Sequence, residues 1–273
     1  MTTLPRDFTA SCDDAWRRVQ AAPGFLTERE ARFLALVAAV TPAAGTILEI
    51  GSFKGKSTVG LASIVAQYGL GRVVAVDPFT APASTDPGLG GAASSYDEFC
   101  RTVNAAGLTA YVEVHRMFSR DLARGWHRPI RFLWIDGDHT YEGVKEDIDL
   151  FGPHLADGAV VAMHDVLHTF PGPVRVFLED VLRSDRFGPV GCCGSIGWAQ
   201  YRPKDGAAPG FRVRRRALAR RIEPLAAISA RGREPSGIAK LRYQWYRASV
   251  PHGAVDPAAW AAQVTLPAGA GPT

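Results

Sequence analysis

The chain is poor in several features that mark whole classes of protein. Its four cysteines, at positions 12, 100, 192 and 193 of 273, have no metal-ligand spacing. The neighbours Cys192 and Cys193 are poorly placed to bridge each other, which rules out a disulfide-stapled mini-domain. No apolar run approaches the length a bilayer crossing needs, and 33–40 is typical of the longest. The first ten residues contain one arginine and no apolar leader segment. Reduced thiols in a cytoplasmic protein, with no membrane partner, are the expectation. Two phosphate-binding signatures are also missing. Gly51-Ser52-Phe53-Lys54-Gly55-Lys56-Ser57 has one residue too few for a nucleotide-hydrolysing P-loop. Ser52 and Phe53 follow Gly51 where the dinucleotide fingerprint needs x-Gly, which disfavours a nicotinamide oxidoreductase.

What is present is ordinary globular material, 47% hydrophobic and 21% charged, with an uneven charge distribution. Residues 203–273 hold 12 Lys and Arg against 4 Asp and Glu, a balance of +8, so the net +4 leaves residues 1–202 at −4. Short Val- and Ile-rich runs alternate with helical patterns, the mark of βαβ units and a parallel sheet. Strands are expected at 46–50, 72–76, 111–115, 130–135, 159–163 and 195–201. Helices are expected at 56–67, 96–106, 141–154 and 174–182. A helical segment precedes the first strand, opened by a capping-box spacing in Thr27-Glu28-Arg29-Glu30. The expected organisation is a helical segment 1–44, an α/β domain 45–202 and a basic extension 203–273. Within the extension, 211–222 suits a basic helix ended near Pro224, and 238–247 suits a second one.

The chemistry gathers at the ends of the expected strands, where open α/β sheets bind ligands. Glycines between the first strand and helix let backbone N–H groups approach a ligand at a helix N-terminus. Glu49 closes the first strand and Asp77 the second. A carboxylate at Glu49 suits an amine, and one at Asp77 suits ribose hydroxyls. S-adenosylmethionine has both. Asp136-Gly137-Asp138-His139 follows the fourth strand and His164-Asp165 the fifth. Carboxylates beside a histidine suit a hard divalent cation, Mg²⁺ first, and a general base. Asp138 and Thr140 are equally good helix caps.

Three motifs in order carry a resemblance: Leu48-Glu49-Ile50-Gly51-Ser52-Phe53-Lys54-Gly55-Lys56-Ser57-Thr58, Val74-Ala75-Val76-Asp77-Pro78 and Trp134-Ile135-Asp136-Gly137-Asp138-His139-Thr140-Tyr141. Over about 45–200 the chain resembles class I S-adenosylmethionine-dependent methyltransferases. Within them it is similar to the metal-dependent sugar O-methyltransferases and the cephalosporin-hydroxylase-like proteins. The resemblance implies a Rossmann-like α/β sheet. It places Glu49, Gly51, Ser52 and Gly55 at the methionine end of the cofactor and Asp77 at its ribose. Ser57 and Asp136 are further cofactor contacts, and the Met117-Phe118-Ser119 turn lies at the adenine. Asp136 and Asp165 become metal ligands and His139 the base. The sequence departs from the family in having His164 where an acid often stands, which leaves His164 as a third ligand, a partner of a ligand or a spectator, with Asp138 as a possible replacement ligand. The implied reaction is O-methylation of a sugar, oligosaccharide or glycosylated metabolite by a homo-oligomer, expected as a dimer.

Alternatives are a catechol- or phenol-type O-methyltransferase and, from the basic extension, an RNA-binding protein or RNA methyltransferase, although a nucleic-acid partner is not expected. The extension has two further readings, helices folded back over the core and attraction of an anionic substrate. The loop 79–95 suits a substrate lid or a plain excursion.

Overall fold

Apolar residues on both faces of a run such as Ile130–Ile135 require a sheet covered on both sides. The computed structural model, which describes residues 3–80, 88–89, 91–230 and 235–265, has that form. Seven strands, β1 (Thr46–Ile50), β2 (Val73–Val76), β3 (Val112–His115), β4 (Ile130–Ile135), β5 (Leu155–Met163), β6 (Phe187–Cys193) and β7 (Ile196–Tyr201), form one sheet. Their order is β3-β2-β1-β4-β5-β7-β6. The first five run parallel, β7 is antiparallel to β5, and β6 is antiparallel to β7. The chain winds outward from β1 to β3 and then returns to β4, so the order reverses between β1 and β4. A crevice opens at such a switch point. The register Ile50↔Ile135 and Ile135↔Met163 sets the turns after β1, β4 and β5 side by side.

Helices α1 (Phe8–Ala21), α2 (Glu28–Val40), α3 (Lys56–Tyr68) and α4 (Tyr96–Ala105) lie over one face. Helices α5 (Ser119–Ala123), α6 (Tyr141–Phe151) and α7 (Pro171–Val176) lie over the other, α7 continuing as a π turn through Phe177–Leu182. Strand alternation divides the core accordingly. Ile47, Phe132 and Trp134 pack beneath α1–α3, whereas Leu48, Leu133 and Ile135 pack beneath α6 and α7. The capping box forms as expected, with Glu30 N–H donating to Thr27 and Thr27 N–H to the Glu30 carboxylate.

The last three helices, α8 (Pro209–Ser229), α9 (Gly237–Ser249) and α10 (Pro257–Thr265), fold back on the sheet. Leu218, Ile222, Leu225, Tyr243 and Val250 join one core cluster, and Trp260 and Val264 join the other. Several elements differ from expectation. Helix α8 runs through Pro224 because the buried Leu225 and Ala226 beyond it anchor the next turn against the core. Strand β6 escapes a propensity reading because it carries Gly188, Pro189 and Gly191. An edge position, with a register shift between Phe187 and Val190, tolerates them. Helices α5 and α10 were also not anticipated, and β5 begins at Leu155. Cys192 and Cys193 fall in opposite core clusters, consistent with unbridged thiols. No helix among the described residues is long and apolar enough to cross a membrane.

Candidate active site

Each functional turn is placed by a backbone hydrogen bond that carries the sheet one residue past a strand end. Gly51 N–H donates to Val76 O at 2.9 Å and Asp77 N–H to His115 O at 3.1 Å. Asp136 N–H donates to Ile50 O at 2.8 Å and His164 N–H to Ile135 O at 3.0 Å. Gly51 is required on two counts. Its φ is +85°, and a Cβ there would lie 2.2 Å from the Asp136 carbonyl oxygen. The first and third motifs are therefore locked backbone to backbone. The four turns edge a cleft of about 1480 Å³, larger than one drug-sized ligand needs and sufficient for a donor and an acceptor together.

Along the β1–β2 side, Asp77 lies in the cleft wall while its Oδ2 accepts the N–H groups of Ser52 and Phe53, each at 2.8 Å. Gly51, Ser52 and Ser57 also line the cleft. Glu49 and Gly55, expected at the methionine end, are not among the residues lining the cleft. Glu49 is fully buried behind the turn, where the hydroxyls of Ser52 (3.0 Å), Ser57 (2.6 Å) and Thr58 all donate to it. Burial raises its carboxyl pKa to about 7 against the pull of those hydroxyls. These bonds tie the turn and the first residues of α3 to the end of β1. Gly55, at φ +91°, is the left-handed residue preceding α3, packed near Phe99.

At the turn after β3, Phe118 and Ser119 line the cleft; Met117 does not. Ser119 Oγ donates to Asp147 at 2.5 Å. Asp147 is a buried carboxyl of α6 whose pKa is raised to about 7, chiefly by burial. The sequence reading did not single it out.

The acid and histidine motifs meet at the β4 and β5 ends. Donor atoms of Asp136, His139 and Asp165 lie within 4.8 Å of one another. His139 Nε2 is 3.2 Å from Asp165 Oδ2, and its ring lies against Phe170 with centroids 4.5 Å apart. Asp165 is held at φ +57°, a left-handed conformation costly for a residue with a Cβ and of the kind retained at functional sites. Burial opposes its ionisation, yet His139 and the neighbouring histidines keep its pKa low.

Of the readings open for His164, the geometry matches that of a partner to a ligand. His164 stands outside the converging group, with Nδ1 3.0 Å from Asp136 Oδ1 and Nε2 3.8 Å from Glu30 Oε1. Burial disfavours its charge, but Asp136 and then Glu30 raise its pKa well above the ordinary histidine value. Its imidazolium thus sits behind Asp136 and fixes that carboxylate. Glu30 carries this chain further, accepting Ser195 N–H and Oγ–H, each at 2.7 Å. Its pKa is lowered: burial resists, but the contacts with His164, Thr27 and Ser195 prevail. The sequence signal at Glu30 pointed only to the capping box. Asp138 serves as the turn residue weighed beside its chemical role, accepting Thr140 N–H at 2.7 Å, and Thr140 caps α6.

Two histidines that had no constellation in sequence also reach the cleft. His168 Nε2 lies 3.7 Å from Asp165, and His252 lines the cleft from the α9–α10 connection. Of the expected lid, 79–95, residues 81–87 and 90 lie outside the described residues. Phe79, at its start, is buried against the rings of Tyr96 and Phe99, and Ser95 N–H closes back onto Phe79 O at 3.0 Å.

Residues 48–166 match the family model described as a methyltransferase domain. Among solved structures, the chain is similar to the O-methyltransferase from Bacillus cereus in complex with S-adenosylhomocysteine. The identity is 21% over 72% of this chain and 92% of that chain, with a TM-score of 0.51. It is similar to the O-methyltransferase NovP at 14% identity over 71% and 98% of the two chains, with a TM-score of 0.56. It is also similar to the O-methyltransferase TomG from Streptomyces achromogenes, involved in tomaymycin synthesis and solved with S-adenosylmethionine. There the identity is 19% over 74% and 92%, with a TM-score of 0.50. At these identities the likeness establishes the shared fold. The strand order and the cleft at its switch point give this chain the class I methyltransferase fold, and residues 48–166 carry the match to a methyltransferase domain.

Proposed function

We propose that the enzyme is an O-methyltransferase acting on a hydroxyl of a sugar, oligosaccharide or glycosylated metabolite, with Mg²⁺ at Asp136 and Asp165 and His139 as general base. The observation that carries this reading is the convergence of Asp136, His139 and Asp165 in the cleft that also exposes Gly51, Ser52 and Asp77. Two carboxylates with open sides suit a hard oxygen-seeking cation, and His164 orients one of them. When bound, the ion would lower the pKa of an acceptor hydroxyl. The sugar class rests on the resemblance carried by the three motifs.

In the reaction the S–CH₃ bond breaks as the O–CH₃ bond forms, and S-adenosylhomocysteine leaves. The hydroxyl proton passes to the His139 imidazole, whose charge the Asp165 carboxylate stabilises. Asp77 would bind the donor's ribose, Gly51, Ser52, Ser57 and Asp136 its methionine end, and Ser119 its adenine. The three-part division of the chain at 44 and 202 remains our working scheme. The exposed Ile238, Leu241 and Trp245 of α9 support a homo-oligomer, which sedimentation of the Trp245→Glu variant would test.

Calorimetric titration should show S-adenosylhomocysteine binding and no binding of NAD; absence of the former overturns the reading. A labelled-methyl screen should label sugars and oligosaccharides rather than phenols. Both Asp136→Ala and exhaustive EDTA treatment should cut turnover at least a hundredfold, and His139→Ala should do the same with donor affinity retained. Full activity in any of these removes the corresponding role.

A further inference from the structure

The C-terminal extension contributes Arg247 and His252 to the lining of the cleft. Six Lys and Arg residues line the cleft, and three are paired with carboxylates. Arg32 pairs with Asp13 and Glu28, Lys54 with Glu98, and Arg120 with Glu146; Lys56 donates to Ala22 O. Like Lys56, Arg29 of α2 and Arg247 of α9 have no carboxylate partner among the described residues, and Arg29 donates to a backbone carbonyl.

These two belong to one small structure. The Arg29 guanidinium donates to His252 O at 3.3 Å, and Gly194 N–H donates to the same oxygen at 3.0 Å. Val250 N–H donates to Arg247 O at 3.1 Å, and the His252 ring N–H donates to Val250 O at 2.6 Å. The turn from 247 to 252 thus ties the Arg247 backbone to the segment that Arg29 holds, and both residues line the cleft. A guanidinium cannot shed its charge, and its planar fork matches carboxylate and phosphate oxygens. Two of them without acid partners, lining the same cleft as Asp136 and Asp165, suit a ligand with an anion at one end and a hydroxyl at the other.

We infer that Arg29 and Arg247 form an anion subsite for the acceptor, so that the methylated molecule carries a phosphate or carboxylate, and that the extension supplies half of this specificity. The inference rests on the acceptor being a hydroxyl compound, as proposed above.

The test titrates the full-length protein, saturated with S-adenosylhomocysteine, with glucose 1-phosphate, glucuronate and methyl glucoside. At least one anionic probe should bind tenfold or more tightly than the neutral one, with the preference shrinking as salt is raised. Phosphate and carboxylate are distinguished by which of the two wins. Arg247→Ala and Arg29→Ala should each lower that preference about tenfold, and Arg247→Lys should restore part of it. S-adenosylhomocysteine affinity should stay unchanged in all three variants. Equal binding of all probes, no binding of the anionic ones, or a preference that survives both alanine variants overturns the subsite. Loss of S-adenosylhomocysteine binding by the unmodified protein would instead overturn the cofactor reading, which keeps the two failures apart.

Discussion

Individual residues in this site are governed by how burial competes with pairing. Glu30 and His164 are buried charges that complete each other, whereas Asp147 has a hydroxyl for company and no cation. The folded state therefore holds the Asp147 proton more tightly than the unfolded chain does. Its contribution to stability is full below about 3.8 and is lost as pH rises through about 7. Asp147→Asn should remove this slope, on the order of 2–4 kcal/mol across the window, as read by urea unfolding at a series of pH values. Identical slopes in the variant and the parent would refute the assignment. The acids and His139 were legible in sequence because each directly follows a strand, where the topology leaves few positions. Asp147 was not legible, since a carboxyl within α6 looks like any solvated helix residue until the turn after β3 is seen to cover it. Glu49 illustrates the reverse. Its place in the motif suggested ligand contact, and only the three hydroxyls around it reveal a carboxylate used internally.

At the scale of elements, the parallel strands were readable because burial on both faces leaves uninterrupted apolar runs. Edge strand β6 and the second half of α8 were not, because tertiary contacts override a local proline there. Helix α8 is held to the sheet edge by Arg215, which is buried and donates to the carbonyls of Phe187 and Gly206 and to Asp185. Arg215→Ala should cost about 3 kcal/mol by stranding two backbone acceptors. Arg220→Ala, on the exposed side of the same helix, should cost less than about 0.5 kcal/mol. Chemical denaturation of the two variants checks the contrast, and equal effects would mean that the buried guanidinium is not the anchor.

For the whole molecule, the charge split between body and extension acquires a structural meaning. Arg212 and Arg215 meet Asp185, Lys204 meets Asp157, and Glu223 of the extension meets Arg183 of the body. Part of the basic excess is therefore spent on docking against an acidic body. The extension also buries Ile222, Leu225 and Trp260 almost completely, at about 1.5–3 kcal/mol each, a sum comparable with the whole stability of a typical domain. A chain ending at residue 202 should lose its cooperative thermal transition and precipitate on expression. A soluble fragment that melts cooperatively and binds S-adenosylhomocysteine like the full chain would show the extension to be dispensable.

The sequence by itself determined the α/β class, the first five strands and the turns bearing Gly51, Asp77, Asp136 and Asp165, because strand burial and turn chemistry are local and periodic. Only the tertiary structure decided that Glu49 faces inward, that His164 and Glu30 stand behind Asp136, and that Arg29 and Arg247 both line the cleft. Those facts depend on contacts between residues far apart in the chain, whose spacing in sequence carries no record of their meeting.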